Sequence, residues 1–394
     1  MADPADGHRM QIEEGASESP DPVVAVAEAT TGWSSAPQII FAFTSPVRSA
    51  TEVAAALARA HPTSAIVGCT TAGEHLGGRH YNGSLVLAGL TTPGIAWATR
   101  LLPAISRVGA GEARATVDEL FAQLGVDRET FDPSDYVCLL FIDGLAGREE
   151  AVVPRIAEAL DGIPLIGGSA GDDLHFTRTE VIHGGTASAD AAVLVLARGP
   201  GAFRIVKHQH FVTTPTLLAI TRADPAQRRV YEIDGQPAAV AYAAALGVPR
   251  EALTDALTFE HPLVLRCDGQ LYVRSVRAGR NTNTSSQVHD DDSISFYCAI
   301  EVGMVVHVGG HEDLLASLRK GLPAAVTHEY ELLIGCNCIL RALETKARGE
   351  HDEVGRAWQA FARHAIGFDT YGEQLDGLHI NQTIVGVAFR ETTS

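Results

Sequence analysis

One segment recurs along this chain. Ile66-Val-Gly-Cys-Thr-Thr-Ala-Gly-Glu74 returns as Leu165-Ile-Gly-Gly-Ser-Ala-Gly-Asp-Asp173, and near the C-terminus Thr370-Tyr371-Gly372-Glu373 matches Thr71-Ala72-Gly73-Glu74. The first two copies each follow a strand-like run and an amphipathic helix-like run, and each precedes an apolar strand-like run. The fainter third copy has the same surroundings, with a strand pattern at 332–334, helix patterns at 338–347 and 353–364, and a last strand at 382–389 that corresponds to 83–90 after the first copy. The spacing is too long and irregular for a solenoid. Duplicated strand–helix–strand units that share a sheet or a pseudo-symmetric interface fit it, and such interfaces commonly hold ligand pockets.

Strand patterns at 38–45, 65–69, 83–90, 136–142 and 164–166 alternate with helix patterns at 49–61, 110–124 and 149–160, which predicts a mixed α/β (α+β) fold. Residues 204–310 differ. Strand patterns at 204–213, 216–223 and 229–233 lead to an Ala-rich helix at 238–246. Strands at 263–266, 270–275, 293–300 and 304–307 then form a β-meander, with a polar tip at 282–292 and a helix starting at 312–318. The boundary between halves is placed at Arg198-Gly-Pro-Gly201, giving domains 33–200 and 201–390. Residues 1–22, polar and acidic, read as a disordered tail.

The 394 residues suit two or three domains, and 46% hydrophobic against 20% charged residues can bury a large core. Thirty Lys and Arg against 48 Asp and Glu give a net charge of −18, which argues against a nucleic-acid or anionic-membrane surface. No apolar run reaches the roughly 18 residues of a membrane span. The opening residues lack the basic and apolar regions of a secretion signal. Six sparse cysteines, including a Cys336-Asn-Cys338 pair without zinc-knuckle spacing, imply a reducing, cytoplasmic setting.

Candidate chemistry is scattered. Gly68 and Gly73 flank a turn that can present N–H groups to an anion or simply adopt positive φ, and no nucleotide-binding glycine pattern accompanies them. Cys69 has Glu74 and His75 nearby in sequence as bases, without a third orienting group, so a buried core cysteine is favoured. Asp172, Asp173 and Glu74 lack the His or Cys spacing of metal ligands, so capping is the simpler reading. Of 16 histidines, His8, His80, His289, His311 and His351 lie in polar contexts and read as solvated. His210, His261 and His379 each lie in or beside an apolar strand pattern, and as a set they suit an imidazole donor to haem or metal. The absence of Cys-x-x-Cys-His excludes covalent c-type haem. Arg266, Arg274, Arg277 and Arg341 have the fork geometry for a ligand carboxylate, with simple ion pairing as the alternative.

Taken in order, several stretches resemble the FIST proteins, bacterial sensory proteins with an N-terminal (FIST_N) and a C-terminal (FIST_C) domain, and within them the haem-binding, nitric-oxide-sensing group called NosP. The stretches are the first two copies of the repeated segment, Lys207-His-Gln-His-Phe211 with Val212-Thr-Thr-Pro215, Tyr231-Glu-Ile-Asp-Gly-Gln-Pro-Ala238, His261-Pro-Leu-Val-Leu-Arg266 and Tyr272-Val-Arg-Ser275. They continue with Phe296-Tyr-Cys-Ala-Ile-Glu301, Cys338-Ile-Leu-Arg341, Tyr371-Gly-Glu-Gln374 and His379-Ile-Asn-Gln-Thr383, spanning about residues 33 to 390. The family pattern has Phe-Asp where this chain has Cys336-Asn337.

The resemblance implies a non-enzymatic cytoplasmic sensor, possible as a homo-oligomer, that binds b-type haem and takes up nitric oxide at the iron. Its output would go to a separate histidine kinase or cyclic-di-GMP enzyme. It points to His261 as the haem-iron ligand, with His210 and His379 as rivals and Arg266, Tyr371 and Arg341 lining the pocket. Two alternatives stand beside it: a haem-free FIST sensor of small ligands such as amino acids, and an enzyme using Cys69 or Cys338.

Overall fold

The computed structural model describes residues 9–34, 36–267, 269–277, 288–323 and 329–391. They form two compact units. The first comprises the chain to His208, Arg319–His379 and the residues from Ile384 onward; the second comprises Gln209–Leu318 and Ile380–Thr383. These units cut across the sequential halves 33–200 and 201–390.

Among the described residues of the first unit, one pattern occurs three times: strand, helical crossover, parallel strand, hairpin, antiparallel strand. Repeat one runs Ile39–Thr44, helix Ala50–Ala60, Ala65–Thr70, hairpin Glu74–Leu76 with Arg79–Tyr81, and Leu85–Thr91. Repeat two runs Tyr136–Ile142, helix Glu149–Ala159, Leu165–Ser169, hairpin Val181–His183 with Thr186–Ser188, and Ala191–Arg198. Repeat three runs Tyr330–Cys338, helices Ile339–Ala347 and His351–Phe361, Ala362–Thr370, hairpin Glu373–Leu375 with Leu378–Ile380, and Ile384–Phe389. In each, the first two strands pair in parallel and the first and last antiparallel. A parallel pair needs a long crossover, and the helices supply it. Ser49 caps the first of them by accepting from Glu52 N at 3.3 Å.

The recurring glycines mark where the parallel strands touch. Gly68 lies opposite Ala42, Gly167 opposite Leu140 and Gly367 opposite Gly335. A Cβ at these positions would fall 1.8, 2.0 and 2.1 Å from the partner's carbonyl oxygen. No larger residue fits, so the sequence repeat records a backbone contact. Inside the unit the three sheets share an aromatic centre to which each repeat contributes. Phe43 stacks on Phe368 at 4.7 Å, and Phe141 stands edge-on to Phe43 at 5.6 Å. Burying each ring contributes about 1.5–3 kcal/mol.

The repeats exchange their hairpins in a cycle. The hairpin of repeat one pairs with Ala362–Thr370 of repeat three, that of repeat two with Ala65–Thr70 of repeat one, and that of repeat three with Leu165–Ser169 of repeat two. A further strand covers the other side of each sheet: Gln11–Ser17 on Leu85–Thr91, Ala96–Pro103 on Ala191–Arg198, and Phe203–His208 on Ile384–Phe389. The result is three six-stranded sheets with cyclic three-fold topology among the described residues.

The first of these outer strands corrects the reading of 1–22 as a disordered tail. Gln11–Ser17 is an edge strand, and Asp21 caps the helix Pro22–Ala29 by accepting from Val23 N and Val24 N, both at 2.9 Å. Polar composition misleads here because an edge strand is held mainly by backbone bonds, while Ile12 and Ala16 face Leu90 and Val86 across the pair. Residues 1–8 lie outside the described residues.

In the second unit the long strand Phe211–Asp224 pairs with Val305–His311 and Arg229–Ile233, and the hairpin Leu263–Cys267 with Gln270–Arg274 joins on Val305–His311. The helix Ala238–Ala245 buries Tyr242 against this sheet's core with Ile220, Ile233 and Phe296. The strand expected at 293–300 is only Ile294–Ser295, with Phe296, Cys298 and Ile300 buried beyond it. Of the polar tip at 282–292, residues 282–287 lie outside the described residues. The fold is mixed α+β, and among the described residues no helix is long and apolar enough to cross a membrane.

Candidate functional site

Each exchanged hairpin crosses its neighbour's second strand at equivalent positions, and the three crossings carry different chemistry. In repeat one, Gly77-Gly78 form the turn and place His75 opposite His80. Both rings face repeat three. His75 Nε2 lies 2.9 Å from Asp369 Oδ1, and His80 Nε2 lies 2.8 Å from Asp369 Oδ2. Asn337, the parallel-strand partner of Asp369, donates its Nδ2 to Oδ1 at 2.7 Å. Arg341, buried one helical turn on, donates its Nε to Asn337 Oδ1 at 3.4 Å, and its Nη2 lies 3.4 Å from His208 Nδ1. The sequence expectation for Arg341 was a pocket-lining partner of a ligand carboxylate; in the structure it orients Asn337 from inside, and burial lowers its pKa to about 10.

Electrostatics follow from this packing. Burial alone would raise Asp369, but His75 and His80 outweigh it and hold the carboxyl well below the ordinary range. Burial pushes His75 down, so the imidazole is neutral and gives a single N–H, to Asp369. Its Nδ1 is buried without a hydrogen-bond partner, and its ring lies 4.8 Å from that of Trp358. A Cβ on Gly73, at φ +143°, would fall 2.6 Å from both Asp369 Oδ2 and His80 Nε2. The glycine of the repeated turn thus makes room for this contact.

At the second crossing, Gln374 and His379 of repeat three stand where His75 and His80 stand in repeat one, over Ser169 in place of Asp369. Gln374 Nε2 donates to Ser169 Oγ at 2.9 Å and lies 3.3 Å from His379 Nδ1. A Cβ on Gly372 would fall 2.2 Å from His379 Cε1. At the third, Ile182 and Ala187 cross Thr70, whose hydroxyl accepts from Glu180 N at 3.0 Å. The place of Gly73 and Gly372 is here Glu180, whose carbonyl accepts from Thr70 N at 2.9 Å as theirs accept from Asp369 N and Ser169 N at 2.8 Å, while Asp172 accepts from the backbone N–H groups of Phe176, Thr177 and Arg178 at 2.9, 2.6 and 3.0 Å. The hairpin residues here, Ile182 and Ala187, carry no imidazole, and the place takes the Glu180 side chain.

The imidazole–carboxylate crossing forms one wall of a cleft of 210 Å³, lined also by Asn82, Asp173, Lys346 and His351. The His351 ring stands 3.7 Å from that of His80, and its Nδ1 lies 2.9 Å from Thr345 Oγ1. Burial, aided by His80, lowers His351 to about 4. Asp173 accepts from Ser45 Oγ at 2.6 Å, and burial raises its pKa. His80 and His351, expected to be solvated, are instead packed together at this wall. Hairpin pairing and a helix N-terminus hide them, and neither is visible in their polar sequence contexts. The signal that would have found the pair is His75-Leu-Gly-Gly-Arg-His80, two imidazoles symmetric about a two-residue turn.

The other expected residues are dispersed. Tyr371 donates its hydroxyl to Asp172 Oδ1, accepts from Leu174 N at 2.8 Å and stacks on Phe176 at 5.0 Å. His379 is a packed member of the second crossing. In the second unit, His261 Nδ1 lies 3.1 Å from Gly309 O, while His311 stands 6.5 Å from both His261 and His210 by ring centroids. His210 is buried and Arg266 is exposed. Cys69 and Cys338 are buried and outside any disulfide, and burial pushes the Cys69 thiol well above its ordinary value, in line with the core cysteine that the sequence favours there.

Residues 38–236 match the FIST N domain family and residues 238–376 the FIST C domain family. No curated protein matches the chain. A crystal structure of the cyanuric acid hydrolase from A. caulinodans is similar with a TM-score of 0.42 and 11% identity, over 97% of this chain and 99% of that one.

Proposed function

From the premise that the chain belongs to the FIST family, whose domains are sensory domains of signalling proteins, we propose that it is a cytoplasmic, non-enzymatic sensor that binds an amino-acid-sized zwitterion in the cleft beside His80. Its output passes to a separate histidine kinase or cyclic-di-GMP enzyme. The observation that carries the reading is the lining of the cleft: the Lys346 ammonium, the Asp173 carboxylate and the imidazoles of His80 and His351, around a volume of 210 Å³. That volume is below the roughly 300–1,000 Å³ of drug-sized sites. Lys346 suits the ligand's carboxylate and Asp173 its ammonium group. Six cysteines outside any disulfide fit a reducing compartment.

A thermal-shift screen of amino acids and other small carboxylates, followed by calorimetry, tests the reading. A ligand that raises Tm is expected, and Lys346→Met is expected to weaken it about 10–100-fold, the equivalent of one charge-assisted hydrogen bond. Failure of every small carboxylate to shift Tm would overturn it.

One observation favours b-type haem as a second reading, in line with the NosP resemblance. His261 points Nδ1 at the Gly309 carbonyl, which leaves Nε2 as the lone-pair donor, the arrangement usual for an iron-ligating imidazole. His261 would hold the iron, and the haem would supply an open iron position for nitric oxide. Absorption spectra of ferric, ferrous and NO-treated protein decide it: a Soret band that His261→Ala removes supports haem, and no haem uptake ends this reading.

A further inference from the structure

We propose that His75, His80 and Asp369 form a binding site for one divalent transition-metal ion of the zinc type, with His351 as a further donor on the cleft side. The three donor atoms lie within 4.8 Å of one another. Metal–nitrogen and metal–oxygen bonds of about 2.0–2.2 Å put tetrahedral ligand atoms about 3.3 Å apart. For one ion to sit among the two Nε2 atoms and the carboxylate, the contacts of 2.9 and 2.8 Å open by a few tenths of an ångström, and the widest donor pair, at up to 4.8 Å, closes by about an ångström or more through side-chain rotation. Two imidazoles and one carboxylate with open positions are a donor set for zinc or iron(II).

Three further observations point to a ligand rather than to architecture. First, the fold does not need this chemistry. The second crossing makes the same backbone contacts with Gln374, His379 and Ser169, and the third with Ile182, Ala187 and Thr70. A buried ionised carboxylate carries a large desolvation cost, and at the place of Asp369 the second and third crossings have the hydroxyls of Ser169 and Thr70 instead. A divalent cation would offset that cost.

Second, His80, His351 and Asp369 have the outer partners of metal ligands, whereas His75 Nδ1 has none. Asn82 lies 3.3 Å from His80 Nδ1 and Thr345 Oγ1 2.9 Å from His351 Nδ1, while Asn337 and Arg341 fix the carboxylate from behind. Third, there is an entry path, because His80, Asp369 and His351 all line the cleft. An ion here would leave a coordination position facing the cleft. The inference does not rest on the amino-acid reading, since an ion can fill this site in a chain that binds no amino acid.

The test uses the full-length, tag-free chain, stripped with EDTA and titrated with Co²⁺ and then Zn²⁺ in buffer containing no amino acid. We expect visible cobalt bands that saturate at one ion per chain and that Zn²⁺ abolishes. The double substitution His75→Gln with Asp369→Ser copies the second crossing, so it should fold, and it should lose at least 100-fold in affinity. His80→Gln is the fallback if the double variant does not fold, with the same expected loss, and His351→Ala should weaken binding about tenfold. Folded wild-type protein that gives no saturable cobalt band overturns the proposal, as does a folded variant that binds Zn²⁺ as tightly as wild type.

Discussion

The first and second hairpin crossings share backbone pairing, register and the overlying glycine, yet one encloses two imidazoles on a carboxylate and the other an amide and an imidazole on a hydroxyl. Phe368 pairs with Glu74 as Gly168 pairs with Glu373, and Gly367 pairs with His75 as Gly167 pairs with Gln374. The backbone therefore sets where the side chains meet without setting what they are. The crossing that also lines the cleft is the one that sets imidazoles against a carboxylate. The difference separates architecture from chemistry inside one molecule.

The largest expected effect breaks the comparison at its centre. Asp369→Ala leaves two imidazoles and the Asn337 amide facing a buried void, each unsatisfied group costing about 1–3 kcal/mol, so a loss of about 4 kcal/mol is expected. Ser169→Ala removes one hydroxyl that accepts from Gln374 and donates to Glu149 at 3.2 Å, with a loss of about 1 kcal/mol. Denaturant unfolding of both variants in EDTA measures the pair. Equal losses would mean that the first crossing is only structural.

How much of this was legible follows from where each contact lies in sequence. The strand–helix–strand units were readable because their apolar periods, turns and glycines are local; Ala50–Ala60 and Ala110–Leu124 lie within the expected segments. The hairpin exchange was not, because His75 and Asp369 are 294 residues apart and each lies in a segment that reads as an ordinary turn. Asn337 stood out as a departure from the family pattern, and the structure gives it a task, donating to Asp369. Histidines were sorted by local polarity, which kept His261 and His210 in view but sent His80 and His351 to solvent. Pairing across a Gly-Gly turn was the cue that local polarity overrode.

A second prediction sharpens the comparison through pH. Glu74 accepts from Thr71 Oγ1, from Ser84 Oγ at 2.5 Å and from Ser84 N at 3.1 Å, yet burial raises its pKa to about 7 from 4.5. The folded state then holds a proton that the unfolded chain releases above about pH 4.5. This carboxyl's contribution is fully present below that pH and is lost as pH rises toward 7, by on the order of 3 kcal/mol. His75 and His351, held neutral by burial, act in the opposite sense over part of this range, so the effect must be read as a difference. Wild type should lose stability relative to Glu74→Gln between pH 4.5 and 7. Parallel stability curves for the two proteins would show that the carboxyl ionises as freely folded as unfolded.

The smallest effect tests why the turn glycine recurs at only two crossings. Gly372→Ala puts a Cβ 2.2 Å from His379 Cε1 at φ +157°, and overpacking of this kind costs about 1–3 kcal/mol. At the third crossing the equivalent residue is Glu180, and the hairpin position of His80 and His379 is Ala187, which brings no ring. If the ring beneath is what demands glycine, His379→Ala should restore at least about 1 kcal/mol to Gly372→Ala, making the double variant more stable than the sum of the singles. A strictly additive pair would place the demand in the backbone angle instead. The alternation of Gly73, Glu180 and Gly372 would then have a cause other than the imidazoles below.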